Sequence, residues 1–381
     1  MKKFILSLAL SILMLIVGVK YSNAQVAGDN LDYFNAQRQP VQTTVEVIDF
    51  TDKTDYELAE YLSKIDRDTV PSEVLEQYAA VVENNRKIAP EYVAMMEIQA
   101  KLRGVDVVQL FAEASYVDVE VSEYGKIKIK QALKGCTSMA FNNGIVGQNN
   151  DMGIDFLEGA PTVMIRTKNS LFIPTDGAHF QGMGEHVGIV LNTIIDLESG
   201  TTLGKDNIVS TDAVFAMAVQ CKSADEFLEK IKGFGTPSPI NFTIADDQGN
   251  HYAVRLFEDR MEVANHDDRG SYSANHTQAT KDAILKKFDI YTANSYTSNT
   301  FAREEAARSF LKYSPELTVG AMQHVFSVRP INISKDAPES TFVTVQTMIF
   351  DVANGVAYIT PDNPRFVEYT KIELNTNTNS K

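Results

Sequence analysis

Hydrophobic and polar positions change their period once along the chain, and the change divides it in two. From residue 50 to about 115 apolar residues recur at helical spacing. Asp55-Tyr56-Glu57-Leu58-Ala59-Glu60-Tyr61-Leu62 repeats them at i, i+3 and i+4. Pro71-Ser72-Glu73 predicts the start of a second helix running through Leu75, Tyr78 and Val81, because proline fits a first helical turn. Pro90-Glu91 opens a third through Ala94, Met95, Ile98 and Leu102, closed by Arg103-Gly104, and Val107 to Ala114 continues as a short helix. Ahead of these, residues 25 to 42 are polar, with weak alternation at Thr43 to Phe50 that predicts one strand.

After Tyr124 the period becomes two. Lys126-Ile127-Lys128-Ile129-Lys130 alternates strictly, and strand-like runs follow at 138–141, 144–148, 162–166, 188–192, 241–245, 252–257 and 261–263. Helical patterns interrupt them at 211–220 with 223–231, and at 301–313 with 318–326. A hairpin pair at 341–351 and 356–360 turns around Ala353-Asn354-Gly355. Many antiparallel strands with segregated helices predict an α+β layered fold. The Asn/Thr/Ser-rich residues 375–381 read as a disordered tail.

One stretch stands out chemically. Residues 134–151, KGCTSMAFNNGIVGQNND, read as two short strands joined by an Asn-Asn-Gly turn. Such a hairpin sets the thiol of Cys136 beside the Asn and Asp residues that end the second strand, a nucleophile next to groups able to orient it.

Composition narrows the classes. Met1-Lys2-Lys3, an apolar run from Phe4 to Val19 and small residues at Ser22 and Ala24 form a secretory signal pattern over 1–24, with a membrane anchor as the alternative. Removal predicts a secreted or periplasmic protein without a membrane span, and takes the net charge from −15 to −18. So acidic a surface argues against nucleic acid and anionic membranes as partners. The two cysteines, Cys136 and Cys221, would be candidates for a disulfide in an oxidising compartment.

A cysteine nucleophile needs a base and a site for the oxyanion. Six histidines are present, at 179, 186, 251, 266, 276 and 324, and none neighbours Cys136 in sequence, so a papain-like pair has no local signature. The other route uses the nucleophile's own α-amine, whose ordinary pKa of about 8 suits it to accept the thiol proton. That route requires a cut between Gly135 and Cys136, where glycine would permit the tight bend of a self-attack. His179 and His186, with glycines between them, lack a further ligand to complete a metal set. No phosphate loop or nucleotide motif appears, and no cofactor is called for.

Gly135-Cys136-Thr137-Ser138 resembles the self-cleavage site of the cysteine-type N-terminal nucleophile hydrolases, in the penicillin acyltransferase and choloylglycine hydrolase superfamily. Gly147-Gln148-Asn149-Asn150-Asp151 is similar to the acyltransferase branch's Gly-Gln-Asn-Trp-Asp motif. The stretch Glu97 to Glu113, with Arg103-Gly104 and Leu110, resembles that branch's helical propiece. Two departures stand out: Gln148 replaces the arginine of bile-salt hydrolases, and Asn150 replaces the usual aromatic residue.

The resemblance implies an αββα sandwich of two antiparallel sheets flanked by helices, formed by a self-processing precursor. Its small chain, 25–135, would remain an associated partner of the catalytic chain 136–381. It further implies Cys136 as nucleophile and Asp151 as the carboxylate at the freed amine. Asn192 would serve the oxyanion hole, Asn275 would lie beside the nucleophile, and Arg303 would support it. The substrate would be a small linear N-acyl amide: an N-acyl amino acid, a bile-salt conjugate or a penicillin. Transfer of the acyl group to an amine rather than to water stays open, as does a homo-oligomer. So does a non-catalytic envelope protein with Cys136 and Cys221 paired. Loops around 150–186 and 264–300 would set specificity.

Overall fold

The alternating segments become strands of two sheets stacked face to face, and the helical segments cover their outer surfaces. The computed structural model describes residues 40–67, 69–70, 72–114, 135–153, 161–175, 177–195, 206–333 and 342–374. The signal pattern, the Lys126–Lys130 alternation and the tail from 375 lie outside these. The first sheet has the order β1 (Val45–Asp49), β4 (Thr162–Arg166), β5 (Ser170–Thr175), β6 (Ala178–Gly184), β7 (Val187–Thr193), β8 (Ile240–Asp246), β9 (His251–Leu256), β10 (Met261–Ala264). The second runs β11 (His266–Asp267), β12 (Gly270–Ser273), β2 (Gly135–Phe141), β3 (Ile145–Gly153), β13 (Phe342–Asp351), β14 (Val356–Thr360), β15 (Thr370–Glu373).

Strand pleating sorts the side chains between layers. Ala140, Val146, Met183, Val190, Ala245, Met348 and Phe350 point between the sheets and form one core. Their strand neighbours Ile189, Leu191, Phe242 and Ile244 point the other way, toward helices α2 (Ser72–Ile88), α3 (Pro90–Arg103), α4 (Val107–Ala114), α5 (Thr211–Ala218) and α6 (Ala224–Ile231). Helix α1 (Asp55–Leu62), started by a Thr54/Glu57 capping box, lays Leu58 and Leu62 on Ile165 and Phe172. On the second sheet, Met139, Phe141, Ile145 and Ile349 pack beneath α9 (Thr300–Tyr313) and α10 (Val319–Ser327). The architecture is the expected αββα sandwich.

Helices α2 to α4 are tied firmly to the rest. Asn84 Nδ2 donates to Ile208 O at 2.9 Å, Asn85 Nδ2 to Ser210 Oγ at 2.8 Å, and Tyr92 Oη to Asp212 Oδ2 at 2.7 Å, all buried. Among the described residues the sheets are antiparallel with one exception: β1 pairs with β4 in parallel, Val45 opposite Thr162 through Asp49 opposite Arg166. More than a hundred residues separate these strands, so no hairpin dictates their direction.

The stretches whose loops would set specificity hold regular structure: besides β4, expected at 162–166, the stretch 150–186 contains β5 and β6, and 264–300 contains β12 with helices α7 (Gln278–Leu285) and α8 (Ile290–Tyr296). Strand β6 is buried on both faces and carries two glycines, so it lacks the alternation of a half-buried strand. Strands β12 and β15 have four residues each, too few to establish a period. Among the described residues no helix is long and apolar enough to cross a membrane.

Candidate active site

The hairpin around Asn142-Asn143-Gly144 fixes the centre. Gly144 takes φ +83°, which a glycine adopts without steric cost, and β2 and β3 then pair from Ala140 opposite Val146 to Gly135 opposite Asp151. Cys136 therefore faces Asn150 across the ladder, and its Sγ donates to Asn150 Oδ1 at 3.7 Å. Pleating places Cys136, Ser138, Gln148 and Asn150 on the inner face, and Thr137, Asn149 and Asp151 on the face under the helices.

Gly135 departs from the expected bend. It continues β2 as a strand residue paired with Asp151 and is not among the residues with positive φ. The ladder simply extends through the bond ahead of Cys136.

Two other elements hold Cys136 by its backbone. Asn275, which follows β12, accepts the Cys136 N–H on Oδ1 at 2.9 Å. Arg303, wholly buried on α9, donates from Nη1 to Cys136 O at 2.5 Å and to Thr137 Oγ1 at 2.9 Å. Its Nη2 donates to Asn275 Oδ1 at 2.8 Å and its Nε to Ser298 O at 3.0 Å. Asn275 is anchored in turn: Nδ2 donates to Thr193 O at 2.8 Å and the backbone N–H to Thr300 Oγ1 at 2.8 Å. An arginine buried this completely is expected to have such a set of acceptors, since its charge cannot be left bare.

Asp151 completes the buried charge balance. Its Oδ2 lies 3.8 Å from Arg303 Nη1 and has no hydrogen-bond partner, while Oδ1 accepts from Thr344 Oγ1 at 2.6 Å. Burial pushes the carboxyl up to about 7, against the pull of Arg303 and Thr344. The Cys136 thiol is likewise raised by burial and by the Asp151 carboxylate, to about 12, although the Asp151 backbone N–H, the Gln148 amide and Arg303 favour the thiolate. In this structure the thiol is thus held protonated.

The Asp151 carboxyl gives a sign for pH. Its folded pKa lies above the ordinary 3.8, so its contribution to stability is complete below about pH 4 and is lost as pH rises through about 7. In a Cys136→Ala background, the stability of the chain relative to its Asp151→Asn counterpart should fall between pH 4 and 8. Denaturant midpoints at both ends check this, and a difference independent of pH would contradict it.

Four of the five expected residues, Cys136, Asp151, Asn275 and Arg303, meet directly. Asn192 joins them at one remove. It sits on the inner face of β7, donates from Nδ2 to Ser273 O at 3.2 Å, and leaves Oδ1 without a partner. Ser273 pairs with Ser138, two residues along from Cys136. Asn241 Oδ1 is also buried without a partner, so the space between the sheets beside Cys136 is lined by amides not fully satisfied within the protein.

Both thiols are free, so the Cys136–Cys221 pairing does not form. Pleating separates them: Cys136 points between the sheets, whereas Cys221 packs in the helical layer over the first sheet, its Sγ donating to Met217 O at 3.3 Å. Among the described residues no histidine hydrogen-bonds the thiol, and no group of three or more His, Cys, Asp or Glu is gathered to hold a metal ion. His179 stacks on Phe172 at 3.9 Å, and His186 pairs with Asp247 at 2.8 Å. The residues missed by sequence reasoning are Thr300 and Thr344, which hold Asn275 and Asp151. Hydroxyls at a helix start and in a strand carry no sequence signal of such a role.

No family model matches the sequence, and no curated protein matches it. Among solved structures, the chain is similar to two variants of the conjugated bile acid hydrolase from Clostridium perfringens. The first is 13% identical, with a TM-score of 0.41 over 63% of this chain and 97% of that one. The second is 12% identical, with a TM-score of 0.40 over 65% of this chain and 100% of that one.

Proposed function

We propose that this chain is a secreted precursor that cuts itself between Gly135 and Cys136 and then hydrolyses a small linear N-acyl amide through a Cys136 thioester. The observation that carries the reading is the grip on one residue's backbone. A buried arginine and a buried asparagine, from separate elements, hold both the N–H and the C=O of Cys136. A cysteine that merely filled the core would need only the sheet ladder.

In the self-cleavage, Cys136 Sγ attacks the Gly135 carbonyl carbon. The C–N bond breaks, the thiol proton passes to the Cys136 nitrogen, and Gly135 is left as a thioester. Water then releases the Gly135 carboxylate and regenerates the thiol. The nitrogen that donated to Asn275 Oδ1 as an amide becomes an amine at the same place, able to accept the thiol proton during attack on an external amide. Asn275 and Arg303 would hold that nitrogen in place, and Asp151, with a pKa of about 7, would balance charge close by. The unused N–H of Asn192 is suited to a developing oxyanion.

Intact mass and N-terminal sequencing of the purified protein test the reading beside a Cys136→Ala variant. The wild type should give a chain beginning at Cys136, and the variant should stay joined across 135–136. Wild type left uncut at this bond, with Cys136 unreactive toward acyl donors, would overturn it.

A further inference from the structure

The grip on Cys136 does not end at Asn275. Thr300 Oγ1, at the start of α9, accepts the Asn275 N–H at 2.8 Å and lies 2.9 Å from His276 Nδ1. His276 Nε2 lies 3.0 Å from Glu304 Oε2, one turn further along the same helix. Glu304 is fastened by Lys281 Nζ at 3.3 Å and by Asn265 Nδ2, which donates to Oε1 at 3.0 Å. His276 and Thr300 are buried, and the imidazole meets the Phe301 ring edge-on at 4.6 Å.

Hydrogen-bond chemistry gives this row a direction. An ionised carboxylate only accepts, so His276 Nε2 carries a hydrogen toward Glu304. Against the upward push of burial, His276 and Lys281 pull Glu304 down to about 2, and burial keeps the imidazole neutral. Neutral imidazole then has a bare Nδ1, which accepts from the Thr300 hydroxyl. Thr300 Oγ1 is left free to accept from Asn275. Each link fixes the polarity of the next, ending at the Asn275 backbone N–H, and the side-chain Oδ1 of the same residue is where the Cys136 N–H and Arg303 converge. The charged groups around the imidazole are Glu304, Lys281 and Arg255.

We infer that Thr300 and His276, backed by Glu304, are positioning residues that set the orientation of Asn275 and through it the nitrogen of the nucleophile. The inference rests on Cys136 being that nucleophile. Neither residue touches the reacting atoms; their effect passes through the Asn275 backbone. The hydroxyl of Thr300 is the indispensable link, because it alone both donates to imidazole and accepts from Asn275.

The test follows self-cleavage by intact mass, together with melting temperature and the pH dependence of Cys136 alkylation by iodoacetamide. Thr300→Val, nearly isosteric, should slow cleavage about tenfold or more, as small misplacements of reacting groups do. Thr300→Ser should restore the wild-type rate. His276→Asn, whose Oδ1 can stand where Nδ1 accepts, should stay close to wild type, whereas His276→Leu should behave like Thr300→Val. Cleavage of Thr300→Val at the wild-type rate would overturn the inference. So would equal slowing in Thr300→Val and Thr300→Ser that follows only the fall in melting temperature. If wild type itself stays uncut, self-processing fails as a reading and the alkylation profile decides the inference. A profile shifted in Thr300→Val and restored in Thr300→Ser supports it, and identical profiles refute it.

Discussion

Arg303→Met is expected to be the most damaging single substitution in the molecule. It removes the donors for Cys136 O, Thr137 Oγ1 and Asn275 Oδ1 together, and leaves the Asp151 carboxyl buried without the guanidinium that opposes its burial. Breaking a buried ion pair from one side costs about 3–5 kcal/mol, and self-cleavage should become undetectable in the same variant. Without Arg303 the folded pKa of Asp151 rises further above 3.8, so the loss of stability should be larger at pH 8 than at pH 5. Arg303→Lys should not rescue it, since one ammonium cannot serve acceptors spread across a planar fork. Adding Asp151→Asn to Arg303→Met should recover part of the stability, with no recovery of cleavage. Denaturant unfolding at the two pH values, with intact mass, reads all of this. A Met variant as stable as wild type would show that the buried pair is not structural.

Asn275→Ala should leave a folded chain that cuts itself about a hundredfold more slowly, the scale set by loss of orientation at a reacting group. The substitution deletes the acceptor that Cys136 N–H and Arg303 share, and the donor to Thr193 O. Asn275→Asp should retain more activity than Ala, because its carboxylate still accepts from both donors and loses only the link to Thr193. The rate of appearance of the chain beginning at Cys136 separates the two. Equal rates for Ala and wild type would remove Asn275 from the mechanism.

Much of this site was legible because its residues sit in short local patterns. The Asn-Asn-Gly turn set the register of β2 against β3, and the register alone put Cys136 opposite Asn150 and Gly135 opposite Asp151. The run Gly147 to Asp151 turned out to mix purposes that its letters do not separate. A Cβ on Gly147 would meet Met322 Sδ and Met348 O, both at 2.8 Å, so that glycine admits the helical layer. Asn149 tethers the strand, donating to Phe326 O at 2.8 Å and accepting from Thr347 Oγ1 at 2.7 Å. Gln148 Oε1 accepts from Leu191 N–H at 3.1 Å and bridges the two sheets. Of the five, Asp151 meets Arg303 directly and Asn150 meets the thiol. What the sequence left hidden is what depends on distant chain: Thr344, 193 residues beyond Asp151, and Thr300, which reaches Asn275 only because α9 returns across β12. The parallel pairing of β1 was equally out of reach, since strand direction at an edge joined by a long connection leaves no trace in periodicity.

A chain severed after Gly135 would melt as one body and refold as two molecules. The parallel edge β1–β4 and the buried contacts of Asn84, Asn85 and Tyr92 hold the N-terminal segment in place while the protein is folded. Once they open, the halves separate by diffusion, and recovery becomes second order in protein concentration. An uncut chain would repair its own misfolding; a chain cut there would last only as long as its unfolding barrier allows.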